Sequence, residues 1–137
     1  MMKKWKNRIF FSGVLALFFA MHSQPAMAYD FKVNGICYNW TSATTVEATY
    51  EYYSDNSTYV SGVLSIPRLV SYGGSTYLVT GIGNDAFRGC RSLRSVSIPN
   101  SVTTIGSSAF YLCQGLASVE IPNSVTTIGH YAFDNCI

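Results

Sequence analysis

The sequence predicts a solenoid of short β-strands and short helical turns, an α/β arrangement wound coil upon coil and preceded by an N-terminal β-hairpin cap. Three observations lead there. A 23-residue unit recurs in the second half of the chain. Within it the recurring positions are mostly apolar or small, whereas the varying ones are polar or mixed. Ahead of it, apolar and polar residues alternate with the period of a β-strand.

Residues 1–28 read as an export signal. Lys3, Lys4, Lys6 and Arg8 form a basic start, Ile9 to Met21 is nearly unbroken apolar sequence, and Ala26-Met27-Ala28 supplies a small-x-small cleavage site. The apolar run has 13 residues, short of the ~20 a spanning helix needs, so cleavage is expected in place of anchoring. Removal leaves 109 residues, one domain by size, with five basic against seven acidic side chains. The net charge of +2 becomes −2. That excludes a basic nucleic-acid binder, and the lack of a later long apolar run excludes membrane insertion of the mature chain. The expected location is secreted or cell surface, with the periplasm as the alternative.

Residues 29–65 are expected to form the cap. Phe31-Lys32-Val33, Asn34-Gly35 and Ile36 to Trp40 carry a hairpin pattern. Thr45 to Tyr53 alternates, with Val46, Ala48 and Tyr50 opposite Glu47, Thr49 and Glu51. Ser54-Asp55-Asn56-Ser57 then turns the chain into Thr58 to Ile66. A solenoid needs an end piece because its terminal apolar face otherwise meets water. Tyr50, Tyr52, Tyr53 and Tyr59 read as half-buried strand residues, with a contact patch as the alternative.

The solenoid is expected over residues 66–137. Residues 66–81 form a degenerate first repeat with a hairpin insertion, in which Gly73-Gly74 supplies the positive-φ turn between Leu69–Tyr72 and Ser75–Thr80. Complete repeats span 82–104 and 105–127, and a partial one spans 128–137. Ile98-Pro99-Asn100-Ser101-Val102-Thr103-Thr104-Ile105-Gly106 returns residue for residue as 121–129. Coils stack like on like, so Phe87, Phe110 and Phe133 form one interior column and Cys90, Cys113 and Cys136 another. Val119 and Ile121 point inward along a short strand that Pro122 ends. Ser95, Ser97, Ser118 and Glu120 point outward and are the candidate interaction surface. Thr126 to Ile128 reads as a second short strand, closed by Gly129, and 107–113 as one or two helical turns capped by Ser107 or Ser108.

The pattern Ile-Pro-x-Ser-Val-Thr-x-Ile-Gly-x-x-Ala-Phe-x-x-Cys-x-x-Leu-x-x-Val-x-Ile-Pro resembles the BspA-like leucine-rich repeats of bacterial surface proteins. The match is strong from Ile82 to Ile137 and looser from Tyr59 to Gly81. The resemblance implies a leucine-rich-repeat solenoid and an adhesion-related interaction module whose partners are extracellular or surface proteins. The alternative is a truncated remnant, or an N-terminal fragment of a longer surface repeat protein, without binding activity of its own. Ile137 falls where the strand of the third coil has not begun, so end-to-end self-association is also expected.

No enzyme, cofactor or metal is expected. His130 shares a varying column with Ser107 and Asn84 and reads as a surface residue, not a general base. Cys136 belongs to the column of Cys90 and Cys113, and a ladder at 23-residue spacing contains no close Cys pair for zinc. Stacked coils bring such thiols near enough for one bridge. Three reduced, buried thiols are the preferred expectation, since free Cys packs as a small apolar group. Arg88, Arg91 and Arg94 read as a solvated edge, with an anion-binding patch as the alternative.

Overall fold

A computed structural model describes residues 28–51 and 60–137. The export signal up to Met27 lies outside the described residues, as do Tyr52, Tyr53 and Tyr59. Ten strands are described: β1 (Phe31–Val33), β2 (Ile36–Trp40), β3 (Thr45–Thr49), β4 (Gly62–Ser65), β5 (Leu69–Tyr72), β6 (Ser75–Ile82), β7 (Leu93–Ser97), β8 (Thr104–Ile105), β9 (Ser118–Glu120) and β10 (Thr127–Ile128). They form a larger sheet ordered β1-β2-β3-β6-β8-β10, with β5 paired to β6, and a smaller sheet ordered β4-β7-β9.

Asn34 (φ 49°) and Gly35 (φ 82°) make the tight turn that pairs β1 with β2. Two positive-φ residues give the turn a twist that matches its strands, which is why Asn-Gly suits it. Gly73 (φ 59°) and Gly74 (φ 81°) do the same between β5 and β6. The three leading strands continue the solenoid sheet, because β3 lies parallel to β6 with Val46 opposite Val79 and Ala48 opposite Ile82. The sheet curls so that β1 meets β5, and the Phe31 ring stacks on Tyr72 with centroids 4.4 Å apart. Tyr50 is buried.

The 23-residue period becomes parallel pairing in both sheets. Ile82, Ile105 and Ile128 are register partners, as are Leu64, Val96 and Val119. β4 was grouped by sequence with the leading segment, yet it pairs parallel with β7, and Leu64 and Ile66 are buried beside Val96 and Ile98. Between the sheets the Phe column is stacked: Phe87 to Phe110 is 5.3 Å and Phe110 to Phe133 is 5.2 Å between centroids. Phe87 and Phe110 are fully buried and Phe133 partly so. Each fully buried ring removes enough apolar surface from water to stabilise the fold by roughly 1.5–3 kcal/mol.

The short helical turns expected over 107–113 are not formed, and the described residues contain no helix. Asp85, Ser108 and Tyr131, at equivalent places in successive coils, all have positive φ (55–57°). So do Gly89, Leu112 and Asn135. A left-handed residue in each turn prevents a right-handed helix from propagating. The amide hydrogens divide instead between two acceptors. Those of Ser108, Phe110 and Leu112 donate to carbonyls of the next coil (His130, Ala132 and Asp134, 2.7–3.0 Å), while those of Ala109, Tyr111 and Cys113 donate three residues back. The turns are therefore a third ladder between coils. Ser108 acts through its backbone in that ladder, not as a helix cap.

A glycine column sets the coil spacing. A Cβ on Gly106 would lie 2.5 Å from the Asn84 amide nitrogen, and one on Gly129 would lie 2.4 Å from that of Ser107. Both glycines have no side chain because the backbone of the preceding coil occupies the space.

Candidate interaction surface

The outer face of the smaller sheet carries two rows that follow from strand register. Val63, Ser95 and Ser118 form one row, and Ser65, Ser97 and Glu120 the other. Ser97, Ser118 and Glu120 are exposed and Ser95 is half-buried, while Leu93, Val96 and Ile98 are buried beneath. Val63 is 76% exposed, an apolar side chain in an otherwise polar face. The structure thus brings all four outward residues of the sequence analysis onto one surface and adds Val63 and Ser65 to it. Those two escaped notice because the Ile66-Pro67 after β4 continues with Arg68 and not with the Asn-Ser-Val-Thr of the later repeats.

Where β7 and β9 end, the chain turns at two equivalent corners. Residues 97–100 of one coil and 120–123 of the next line a depression of about 350 Å³. Pro99 and Pro122 close turns in which their carbonyls accept the amides of Val102 (3.0 Å) and Val125 (3.1 Å). Asn100 and Asn123 are exposed on the rim. Sequence reasoning took recurrence as a mark of the interior and so passed over this recurring polar pair.

The thiols lie far from such chemistry. Cys90 and Cys113 are fully buried, Cys136 is partly buried, and none of the three is in a disulfide. The Cys113 Sγ–H donates to the Phe87 carbonyl and that of Cys136 to the Phe110 carbonyl, both at 3.1 Å. Burial pushes the Cys90 and Cys113 thiols up to about 12, against an ordinary value of 9.0, and raises that of Cys136. A thiol held neutral is a poor nucleophile. His130 is exposed, and its carbonyl accepts the Ser108 amide. Arg88 binds Asp85 at 3.1 Å and lies 5.0 Å from the Tyr111 ring centroid, so it is held on the surface by its neighbours. Among the described residues, no three of His, Cys, Asp and Glu gather as metal ligands.

Residues 76–137 match the family model described as the BspA type leucine rich repeat region. Several solved structures are similar, among them three bacterial leucine-rich repeat proteins. A leucine-rich repeat protein from Bacteroides ovatus has 38% identity and a TM-score of 0.69 over 79% of this chain and 27% of its own. A leucine rich cell surface protein from Faecalibacterium prausnitzii has 30% identity and a TM-score of 0.63 over 82% of this chain and 29% of its own. A leucine-rich repeat protein from Bacteroides capillosus has 30% identity and a TM-score of 0.65, covering 75% of this chain and 72% of its own. The chain thus spans less than a third of the length of the first two. No match was found among curated proteins.

Proposed function

Because the chain belongs to the BspA-type leucine-rich-repeat family, we propose that it is an exported, non-enzymatic protein-interaction module, secreted or held at the cell surface, with a role in adhesion. The observation that carries this reading is the outer face of β4, β7 and β9. A repeated scaffold buries one side of each strand and leaves the other in ordered rows for a partner. The rows are small side chains, uncharged apart from Glu120 and polar apart from Val63, which suits a modest affinity assembled over several coils. Export is supported by the basic start, the apolar run and the Ala26-Met27-Ala28 site. The partners proposed are extracellular-matrix or surface proteins of another cell. A pull-down of such proteins on the purified mature chain tests this; binding no greater than on a chain with its outward rows scrambled would refute it.

A second reading is favoured by the last two coils, where Ile121 of the second complete repeat and Ile128, Tyr131 and Ile137 of the third are 41–92% exposed. An apolar coil face is a surface for association with a second copy or with a further repeat. In this reading the chain is a remnant or a fragment of a longer repeat protein. Sedimentation of the mature chain separates the two: a concentration-dependent dimer supports the second reading, and a monomer at high concentration removes it.

A further inference from the structure

The corner depression at the end of the outward face has a chemistry of its own. Four polar positions recur through the two Ile-Pro-Asn-Ser-Val-Thr-Thr stretches, and several of their side chains tie coil to coil. The Ser124 hydroxyl donates to the Val102 carbonyl (2.7 Å), and the hydroxyls of Thr103 and Thr126 donate to the carbonyls of Thr80 and Thr103 (both 3.3 Å). Asn100 and Asn123 differ. They recur at the same corner, they line the depression, and neither side chain bonds to another described residue. Ser97 and Glu120, which do not recur, line it from the strands beside them, and neither side chain bonds to another described residue. Four side chains with free donors and acceptors therefore converge on one space of about 350 Å³.

The geometry points to a binding site for a neutral, hydroxyl-rich ligand, a short stretch of glycan. Two carboxamides and a carboxylate are planar groups that bond adjacent hydroxyls in pairs, offering both donors and acceptors. The lining is predominantly polar, with Pro99, Pro122 and Ile121 adding only a small apolar share, so recognition rests on hydrogen bonds to hydroxyls. The volume lies low in the range of small-molecule sites, roughly 300–1,000 Å³, and the lining holds no aromatic anchor of the kind that dominates protein–protein hot spots. A single carboxylate and no cation line the space, so an anionic ligand has no counter-charge there. Equivalent corners at 23-residue spacing would let successive sugar units meet successive coils. The inference shares Ser97 and Glu120 with the proposed protein-interaction face but does not depend on a protein partner.

The test is binding of the mature chain to an array of neutral and anionic oligosaccharides, followed by titration of those retained. Neutral oligosaccharides should be retained, and Asn100→Ala with Asn123→Ala should weaken binding about tenfold or more, as loss of one or two hydrogen bonds does. His130→Ala, exposed and outside the depression, should leave binding within about twofold. Both asparagines are exposed and unbonded, so melting curves of the variants should overlay the parent's. Retention of no oligosaccharide, retention of anionic ones alone, binding unmoved by the double variant, or binding abolished by EDTA would each overturn the assignment. If matrix-protein capture persisted while oligosaccharide retention failed, the glycan site would fall and the protein-interaction face would stand.

Discussion

Replacing Gly106 by alanine introduces one methyl group at the closest approach between two coils. Its carbon would stand 2.5 Å from the Asn84 nitrogen, 2.6 Å from the Gly83 carbonyl carbon and 2.7 Å from the Asn84 Oδ1. Ordinary contact begins near 3.4 Å, so the coils must separate by about 0.9 Å. Two of those neighbours are backbone atoms and cannot rotate away. Separation stretches the bonds made at this point: Gly106 N to Ile82 O (2.7 Å), Ser107 N to Asn84 Oδ1 (2.8 Å) and Asp85 N to Ser107 O (2.9 Å). Overpacking costs about 1–3 kcal/mol and each weakened hydrogen bond about 1 kcal/mol, against a gain of at most ~1 kcal/mol from a stiffer unfolded chain. The expected loss is about 3 kcal/mol, which for a domain of this size lowers Tm by about 10–20 °C. Circular dichroism with urea and thermal unfolding measures both. Gly89→Asn is the control: Gly89 has φ +74° with nothing near its Cβ position, and the equivalent places hold Leu112 and Asn135. It should change stability by less than about 1 kcal/mol. A Gly106→Ala variant within about 0.5 kcal/mol of the parent would refute the claim that glycine sets the coil spacing.

Phe110→Ala removes the middle ring of the stacked column and should cost about 3–5 kcal/mol, read as a shift in the urea midpoint. Ser124→Ala loses the bond to the Val102 carbonyl and should cost about 1 kcal/mol, whereas Ser101→Ala should be neutral or stabilising because the buried Ser101 hydroxyl has no partner; equal losses would contradict this. The thiols should make stability fall in alkali. Their folded values of about 12 exceed the ordinary 9.0, so between those pH values the unfolded chain releases protons that the folded chain keeps. Full stability holds below pH 9, and urea midpoints should drop as pH rises, by up to about 1.4 kcal/mol per unit for each thiol. Iodoacetamide should leave Cys90 and Cys113 unlabelled in the native protein and label them in urea.

The period, the inward columns and the outward rows of β7 and β9 were legible because 23-residue recurrence states which side chains stack and strand alternation states which face they take. The turns were misread as helical. Ser-Ser-Ala-Phe-Tyr-Leu-Cys suits a helix locally, but nothing local announces that Ser108 and Leu112 adopt positive φ, a choice made by the ladder to the next coil. The packing role of Gly106 was equally hidden, since a glycine after Ile also reads as the end of a strand. β4 was assigned to the cap and not to the solenoid because Gly-Val-Leu-Ser-Ile keeps only the inward half of the repeat pattern. At the corner, recurrence was taken as burial, and Asn100 and Asn123 show that a repeated polar residue can instead be a repeated surface group.

The central claim is that the outer face of β4, β7 and β9 is the working surface. Titration of the mature chain onto immobilised extracellular-matrix and surface proteins, beside a variant carrying Ser95→Arg and Ser118→Arg, tests it most directly. The account predicts saturable binding that the two arginines abolish and that His130→Ala leaves intact. Saturable binding unchanged by the arginines, or none to any such protein, would contradict it.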